Sequence, residues 1–186
     1  GNPLAIEMSL RRHGRRVDPA DPSAAFDAEG DAGPTGRLLV LVHGLCLNDR
    51  QWTREGHDHG AALADEFGHT PLYLRYNSGR SISTNGREFA DLLETLLRQW
   101  PQPLQEVAIV GHSMGGLVAR SACHHGRLAK HEWLKHLQKL MFIGTPHHGA
   151  PLERGGHWLD FVMDLSPYSA PFTQIGKTRS AGITDL

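Results

Sequence analysis

The chain has 186 residues, with 19 lysines and arginines against 20 aspartates and glutamates and a formal net charge of −1. This length suits one domain with a substantial core, and the balanced charge gives no reason to expect a nucleic-acid partner. No apolar run is long enough to span a bilayer. The two cysteines, Cys46 and Cys123, and the thirteen histidines show neither disulfide nor metal-ligand spacing, so we expect no metal and no cofactor.

Residues 1–36 are expected to form a strand or hairpin followed by a loop. Apolar and polar residues alternate over residues 4–10, which predicts a half-exposed strand beginning almost at residue 1. We therefore expect the chain to be trimmed at its N-terminus. It shows no signal-peptide pattern, and we expect a cytoplasmic location. A targeting segment lost with the trimmed part is an open alternative. Residues 11–17 predict a turn and a return strand, with a basic cluster that is either a solvated tip or a contact for an anionic surface. Residues 18–36 predict a loop.

Residues 38–42 are uninterrupted and apolar, which predicts a parallel strand buried on both faces of a sheet. The strand leads into His43-Gly44-Leu45, where Gly44 permits a sharp exit that aims the next amide inward. The chain carries a Gly-x-Ser-x-Gly motif at Ser113, described below, of the kind that forms acyl-transfer sites. In such sites the second oxyanion donor comes from the first strand-to-helix loop, so we assign the amide of Leu45 to that role. We interpret His43 as a structural hydrogen-bonding residue, because it sits on the wrong loop for a triad base.

Two helices and a strand are predicted next. The first helix spans residues 58–67, ends at Gly68, and turns four apolar side chains inward, namely Ala61, Leu63, Ala64 and Phe67. Residues 71–76 predict a strand. Asn85 is expected to cap the second helix in a capping box with Glu88, and a stripe of apolar residues at helical spacing follows, as is typical of core packing.

The stretch after the second helix carries the strongest functional signal. Residues 107–110 predict a strand, and Gly111-His112-Ser113-Met114-Gly115 with a helix-compatible run follows at once. This is the arrangement of a nucleophile elbow, in which a tight turn projects the serine hydroxyl at the edge of the sheet. Gly111 and Gly115 leave room for strand and helix to approach each other, and the amide of Met114 at the helix N-terminus faces developing negative charge.

A fourth strand is predicted over residues 139–143. The turn after it, Thr145-Pro146-His147, falls on the same edge as Ser113. The apolar stretch over residues 157–172 is either a cap over an acyl pocket or a packing surface for missing parts of the domain. We expect residues 151–186 to hold this segment and the start of a missing C-terminal part.

The alternation of strands and helices predicts an α/β fold, an open parallel sheet with helices on both faces. Three motifs at three successive strand ends make residues 37–150 resemble the α/β-hydrolase superfamily, and within it lipases and PGAP1-like serine esterases. The resemblance implies that Ser113 is the nucleophile, that the amides of Leu45 and Met114 form the oxyanion hole, and that the substrate site is lined by His43, Gly44, His112 and His147.

The chain departs from that family where the catalytic acid and base should follow. The superfamily orders its triad as serine, acid and histidine, with the last two late in the chain. Asp160 or Asp164 would be the acid in a variant arrangement, but His157 as base would then precede it. We therefore expect the acid and the base to lie beyond residue 186.

Three classes of function compete at this point. The first is a carboxylic-ester hydrolase acting on a small acyl ester or a lipid, through an acyl-enzyme on Ser113. The second is an acyltransferase that uses the same machinery with an alcohol in place of water. The third is a non-catalytic fragment that binds lipid or a partner through residues 157–172. Apolar faces left bare by missing neighbours predict self-association.

Overall fold

A computed structural model of the chain describes residues 6–27 and 31–147. The strands in these ranges are β1 (Ser9–Arg12), β2 (Arg15–Arg16), β3 (Arg37–Val42), β4 (Thr53–Arg54), β5 (His57–Asp58), β6 (Thr70–Arg75), β7 (Glu106–His112) and β8 (Leu137–Ile143). The helices are α1 (His59–Phe67), α2 (Ile82–Arg98) and α3 (Met114–Ala129), and short 3₁₀ turns cover Pro22–Phe26, Asp49–Trp52 and Glu132–Lys135.

One sheet with the strand order β2-β1-β6-β3-β7-β8 organises the fold. Strands β3, β6, β7 and β8 are parallel, and β1 runs antiparallel to β2 and β6. Because parallel strands bring their carboxyl ends to one edge, the loops after β3, β6, β7 and β8 meet there. The predicted α/β fold and its parallel sheet are confirmed, with β1 and β2 as the N-terminal hairpin.

Alternate residues of the central strands build two apolar cores, one on each face of the sheet. Leu38, Val40 and Val42 of β3 pack with α2 and α3 on one face, whereas Leu39 and Leu41 pack with Trp52 and α1 on the other. Burial on both faces leaves no position for a polar side chain, which is why this strand is a continuous apolar run. Helices on both faces are therefore also confirmed.

Helix α1 meets the sheet through its small residues. A Cβ on Gly60 would lie 2.7 Å from the hydroxyl oxygen of Tyr73, so this turn of the helix approaches the sheet more closely than a side chain allows. Ala64, one turn later, is buried beside it. The prediction that Leu63 and Phe67 point inward is wrong, since they are 38% and 54% exposed. The close approach selects the face with glycine and alanine and turns the larger residues outward.

The predicted end of α1 is confirmed, whereas the predicted start of α2 is wrong. Gly68 ends α1 in the left-handed conformation with φ of 65°. Helix α2 begins earlier than expected, with Ser81 as its N-cap. Asn85 is fully buried inside the helix, and Glu88 forms an ion pair with Arg80 in place of a capping box. Ser81 and Asn85 are both residue types that cap helices. Ser81 is the cap, because Asn85 is buried in tertiary contacts inside the helix.

The N-terminal strand differs from its prediction in position and burial. β1 spans Ser9–Arg12, later than the predicted residues 4–10, and residues 4 and 5 of that prediction lie outside the described ranges. It is not half exposed, because Ser9, Leu10 and Arg12 are all buried. Arg12 tolerates burial because both of its terminal nitrogens bond the carboxylate of Asp31. The predicted return strand is present as β2.

Strand β8 forms one edge of the described sheet. Its apolar residues Met141, Phe142 and Ile143 are 43%, 39% and 50% exposed. The apolar stretch 157–172 and the rest of residues 151–186 lie outside the described ranges, and self-association stays a prediction. Over the ranges described, no helix is long and apolar enough to cross a membrane. The cytoplasmic location also stays a prediction.

Candidate active site

Ser113 occupies the turn between β7 and α3 in a strained backbone conformation. Its φ of 53° and ψ of −127° lie outside the regions that residues with a side chain normally adopt. Its N–H donates to the carbonyl of Ile143 at 2.8 Å, and the N–H of Gly116 donates to the carbonyl of Ser113 at 3.1 Å. Although Ser113 is the N-cap residue of α3, its side chain makes no capping hydrogen bond. The helix therefore leaves the hydroxyl available for other chemistry.

The glycines of this turn allow strand and helix to approach each other. A Cβ on Gly111 would lie 2.4 Å from the Cα of Gly116, and a Cβ on Gly115 would lie 2.4 Å from the carbonyl oxygen of Val42. Neither glycine has a positive φ, so it is space, and not an unusual backbone conformation, that requires them. These distances agree with the expectation that both glycines make room for the elbow.

The loop after β3 lies directly against Ser113. A Cβ on Gly44 would lie 3.1 Å from the Cβ of Ser113 and 3.1 Å from Nδ1 of His112. The expectation that Gly44 supplies a special backbone conformation is wrong, because its φ is not positive. The left-handed residue of the loop is Cys46, with φ of 58°. Gly44 is required by its closeness to Ser113, and the sharp change of direction falls two residues later.

Two backbone amides of this loop donate to side chains, on either side of the amide of Leu45. Gly44 N–H donates to Oε1 of Gln51 at 3.2 Å, and Cys46 N–H donates to Oγ of Ser78 at 3.1 Å. Leu45 lies between them and is buried. No hydrogen bond within residues 6–27 and 31–147 uses its amide. The loop is thus anchored on both sides of the amide of Leu45, which is the amide of this loop that the sequence assigns to oxyanion binding.

His43 is fully buried and supports the loop from behind. Its Nδ1 lies 2.9 Å from the carbonyl oxygen of Gly44, and its Nε2 accepts the N–H of Tyr76 at 3.4 Å. The Tyr76 ring stacks on the imidazole at 4.2 Å, and its hydroxyl donates to the His43 carbonyl at 2.8 Å. Burial lowers the pKa of His43 to about 4, so the ring is neutral at pH 7. With both nitrogens engaged, His43 has no position left for accepting a proton from Ser113.

The other two histidines that the sequence assigns to the site follow different strands, His112 at the end of β7 and His147 after β8. His112 is half-buried, burial lowers its pKa, and its ring meets that of Trp52 edge-on at 6.5 Å. His147 packs edge-on against Phe142 at 4.4 Å, and its Nδ1 lies 3.5 Å from Nη1 of Arg120. Neither ring forms a hydrogen bond with Ser113.

Among the described residues, Ser113 has no partner that resembles a general base. The serine–histidine side-chain hydrogen bond that these residues do contain joins Ser83 to His125 at 3.2 Å, on the exposed surface of α2 and α3. His157, Asp160 and Asp164 lie outside the described ranges. In the same ranges, no group of three His, Cys, Asp or Glu residues could hold a metal ion.

Sequence reasoning missed the residues that hold the loop after β3 in place. Ser78, in the loop after β6, accepts the Cys46 amide. Asn85 fixes that second loop, because its side-chain nitrogen donates to the carbonyls of Asn77 and Arg80 at 3.0 and 3.2 Å. The available signal was position, since both loops follow parallel strands and so share an edge of the sheet.

Residues 33–182 match the model of the PGAP1-like alpha/beta domain family. The chain belongs to this family. The match includes the loop after β3 and the Ser113 turn, so it confirms the resemblance to PGAP1-like proteins that their motifs indicate.

Two solved structures share the fold of this PGAP1-like chain. They are the lipase BlEst2 of Bacillus licheniformis in its propeptide form, with a TM-score of 0.57 and 23% identity, and in its mature form, with a TM-score of 0.57 and 20% identity. The first match covers 83% of this chain and 31% of the lipase chain, and the second covers 97% and 60%. At such identities the likeness shows the fold alone, which is that of an α/β-hydrolase. The PGAP1-like chain spans less than two thirds of either lipase chain.

Proposed function

We propose that the chain is a serine hydrolase that cleaves carboxylic esters, with Ser113 as its nucleophile. The observation that carries the proposal is the strained turn at Ser113, whose hydroxyl is left unused by the helix that it caps. A strained residue persists only where its surroundings enforce it, and such residues cluster at active sites. Here the surroundings are two backbone hydrogen bonds and a set of glycine contacts too close for any side chain.

The proposed chemistry proceeds through an acyl-enzyme. The hydroxyl oxygen of Ser113 attacks the ester carbonyl, its proton passes to a general base, and the alcohol leaves with a proton returned by that base. Water then attacks the acyl-serine, releasing a carboxylic acid and restoring the hydroxyl. The amides of Leu45 and Met114 donate to the oxyanion, and one such donor is worth about 10²–10³ in kcat. The N-terminus of α3 adds the positive end of its dipole.

Four further residues are proposed to shape the substrate site. Gly44 keeps the oxyanion loop against Ser113, and His112 forms a wall beside it, in keeping with their closeness. His43 holds the loop from behind without contacting substrate. His147, which packs against Phe142 near the end of β8, borders the site.

A fluorophosphonate probe tests the nucleophile, because it labels only an activated serine. In a longer form that carries the acid and the base, we expect label on Ser113. Ser113→Ala in that form should lose both label and ester hydrolysis by several orders of magnitude, on the pattern of about 10⁶ in another serine hydrolase. Ser83→Ala is the matched control, since Ser83 bonds a histidine but sits on an exposed helix. Label that persists in Ser113→Ala, or that disappears in Ser83→Ala, would contradict the proposal.

The same experiment addresses the proton acceptor and the fate of the acyl group. We keep the prediction that the acid and base lie beyond residue 186. It is contradicted if the 186-residue chain labels and turns over as fast as a longer form. Product analysis with added alcohol separates hydrolysis from acyl transfer, because a transferase yields a new ester where a hydrolase yields the acid.

A further inference from the structure

A cavity of about 570 Å³ is lined in part by the loop after β3. Four of its lining residues are arginines, Arg11, Arg16, Arg50 and Arg75, and we call it the arginine pocket. It combines strands β1, β2 and β6 with the loop after β3. The four guanidinium groups concentrate positive charge at one concave place in a chain whose overall charge is close to zero.

Strand register explains why three of these arginines converge. Arg11 pairs with Arg16 across the β1–β2 hairpin, and Ser9 pairs with Arg75 across β1 and β6. Directly paired residues and residues two apart share one face of a sheet, so Arg11, Arg16 and Arg75 point to the same side. Arg50 reaches that side from the 3₁₀ turn Asp49–Trp52, which packs on the same face through Trp52.

The carboxylates of the pocket do not balance its arginines. Asp49 is buried, bonds Arg75 and lies 3.6 Å from Nε of Arg11. Glu7 pairs with Arg16 at 2.8 Å. Four positive and two negative side chains leave an excess of two positive charges. Within residues 6–27 and 31–147, no ion pair involves the guanidinium of Arg50, which is exposed.

The pKa of Arg11 responds to the positive charge of the other arginines of the pocket. Burial and the neighbouring positive charge of Arg75 lower the pKa of Arg11, and Arg50 and Arg16 act in the same direction. Its Nε is buried without a hydrogen-bond partner among the described residues. A bound anion would supply the missing negative charge to the guanidinium groups that line the cavity.

The pocket is joined to the candidate active site by shared elements. Leu47 and Asn48 line the pocket and belong to the same loop as Gly44, where a Cβ would lie 3.1 Å from the Cβ of Ser113. Tyr76 lines the pocket and stacks on His43.

We propose that the arginine pocket binds a phosphate group, carried by the molecule whose ester bond is presented to Ser113. Several guanidinium forks suit the oxygens of a phosphate, and a phosphate monoester carries about −1.5 to −2 charges, which matches the excess of two. The assignment to the ester substrate rests on the proposed hydrolase function, whereas the binding of phosphate does not. The phosphate belongs either to a soluble ester or to a lipid headgroup.

Calorimetric titration of the Ser113→Ala chain tests the pocket without depending on hydrolysis. The probes are glycerol 3-phosphate with glycerol as its neutral partner, and phosphatidylcholine vesicles with and without phosphatidic acid. We expect phosphate-dependent binding to at least one of these probes, and weaker binding as salt rises. Binding of glycerol 3-phosphate indicates a soluble source, and binding only to phosphatidic acid vesicles indicates a lipid source.

The variants Arg50→Gln and Arg16→Gln should each weaken that binding about tenfold, as expected for loss of one hydrogen-bonded charge. Matched controls are Arg15→Gln, next to Arg16 but on the other face of β2, and Arg54→Gln, on the exposed strand β4. The controls should bind like the parent. The proposal is overturned if neither probe binds through its phosphate, or if the control variants weaken binding as much as the pocket variants. Absence of ester hydrolysis in a longer form with Ser113 intact, while phosphate binding is retained, would count against the hydrolase proposal alone.

Discussion

Replacing Gly44 tests how closely the loop after β3 must approach the nucleophile. In the parent chain a Cβ at this position would lie 3.1 Å from the Cβ of Ser113 and from Nδ1 of His112. Ordinary contact between such atoms is about 3.5–4.0 Å, so Gly44→Ala forces the loop and the elbow apart by about half an ångström. The backbone itself does not resist the change, because the φ of Gly44 is not positive.

This displacement has a calculable consequence. A misplacement of about 1 Å in an active site costs about 10²-fold in rate, so half of that predicts about a tenfold loss for Gly44→Ala. Gly44→Val adds two methyl groups to the same contact, and we expect a loss of more than about a hundredfold. Overpacking of this kind also costs about 1–3 kcal/mol of stability.

The assay is kcat/KM for a chromogenic ester in a longer form that carries the acid and the base, with the free energy of unfolding measured in urea. Gly56→Ala is the control for general destabilisation, since Gly56 has φ of 79° and no neighbour within 4 Å. It should cost about 1 kcal/mol through backbone strain and leave the activity at the parent level. Activity of Gly44→Val within about twofold of the parent would refute the contact between loop and nucleophile.

Three further predictions concern the support of the site. Ser78→Ala removes the acceptor of the Cys46 amide, so kcat should fall about tenfold and the free energy of unfolding by about 1 kcal/mol. An unchanged kcat would contradict the anchoring role of Ser78. Gly111→Ala should cost at least about 3 kcal/mol in urea unfolding, because its Cβ would lie 2.4 Å from backbone, and a cost under about 1 kcal/mol would exclude that contact. The pKa of His43 is lowered by burial to about 4, below its usual 6.5, so the unfolded chain binds the proton first and stability falls as pH drops from 6.5 toward 4. We expect a loss of about 2 kcal/mol between pH 7.5 and 5 that His43→Gln lacks, and equal pH dependence in both chains would show that the ring is not buried as described.

Much of the fold was predictable because burial on two faces constrains sequence strongly. The run 38–42 lies between two cores, so its apolar character identified a central parallel strand. The elbow was predictable for a related reason. A Cβ on Gly111 or Gly115 would lie 2.4 Å from backbone atoms, so only glycine fits at these positions and the requirement is visible in the sequence.

Other features depend on contacts between distant parts of the chain and leave little local signal. Asn85 has the residue type of a helix cap, but it is buried because it fixes the loop after β6. Leu63 and Phe67 fit an inward stripe, but Gly60 allows a closer approach to the sheet on another face. The proton acceptor for Ser113 was not assigned from sequence, and its position remains a prediction.

The strain at Ser113 sets stability and chemistry against each other at a single position. A non-glycine residue held at φ of 53° and ψ of −127° costs on the order of 1–3 kcal/mol, a sizeable share of the 5–15 kcal/mol that separates a typical folded domain from its unfolded chain. Glycine would adopt this conformation readily, so the most economical stabilising change in the turn is also the one that removes the proposed nucleophile. Engineering for heat resistance should therefore leave the turn alone and look to distant surface positions such as the exposed Leu63 and Phe67.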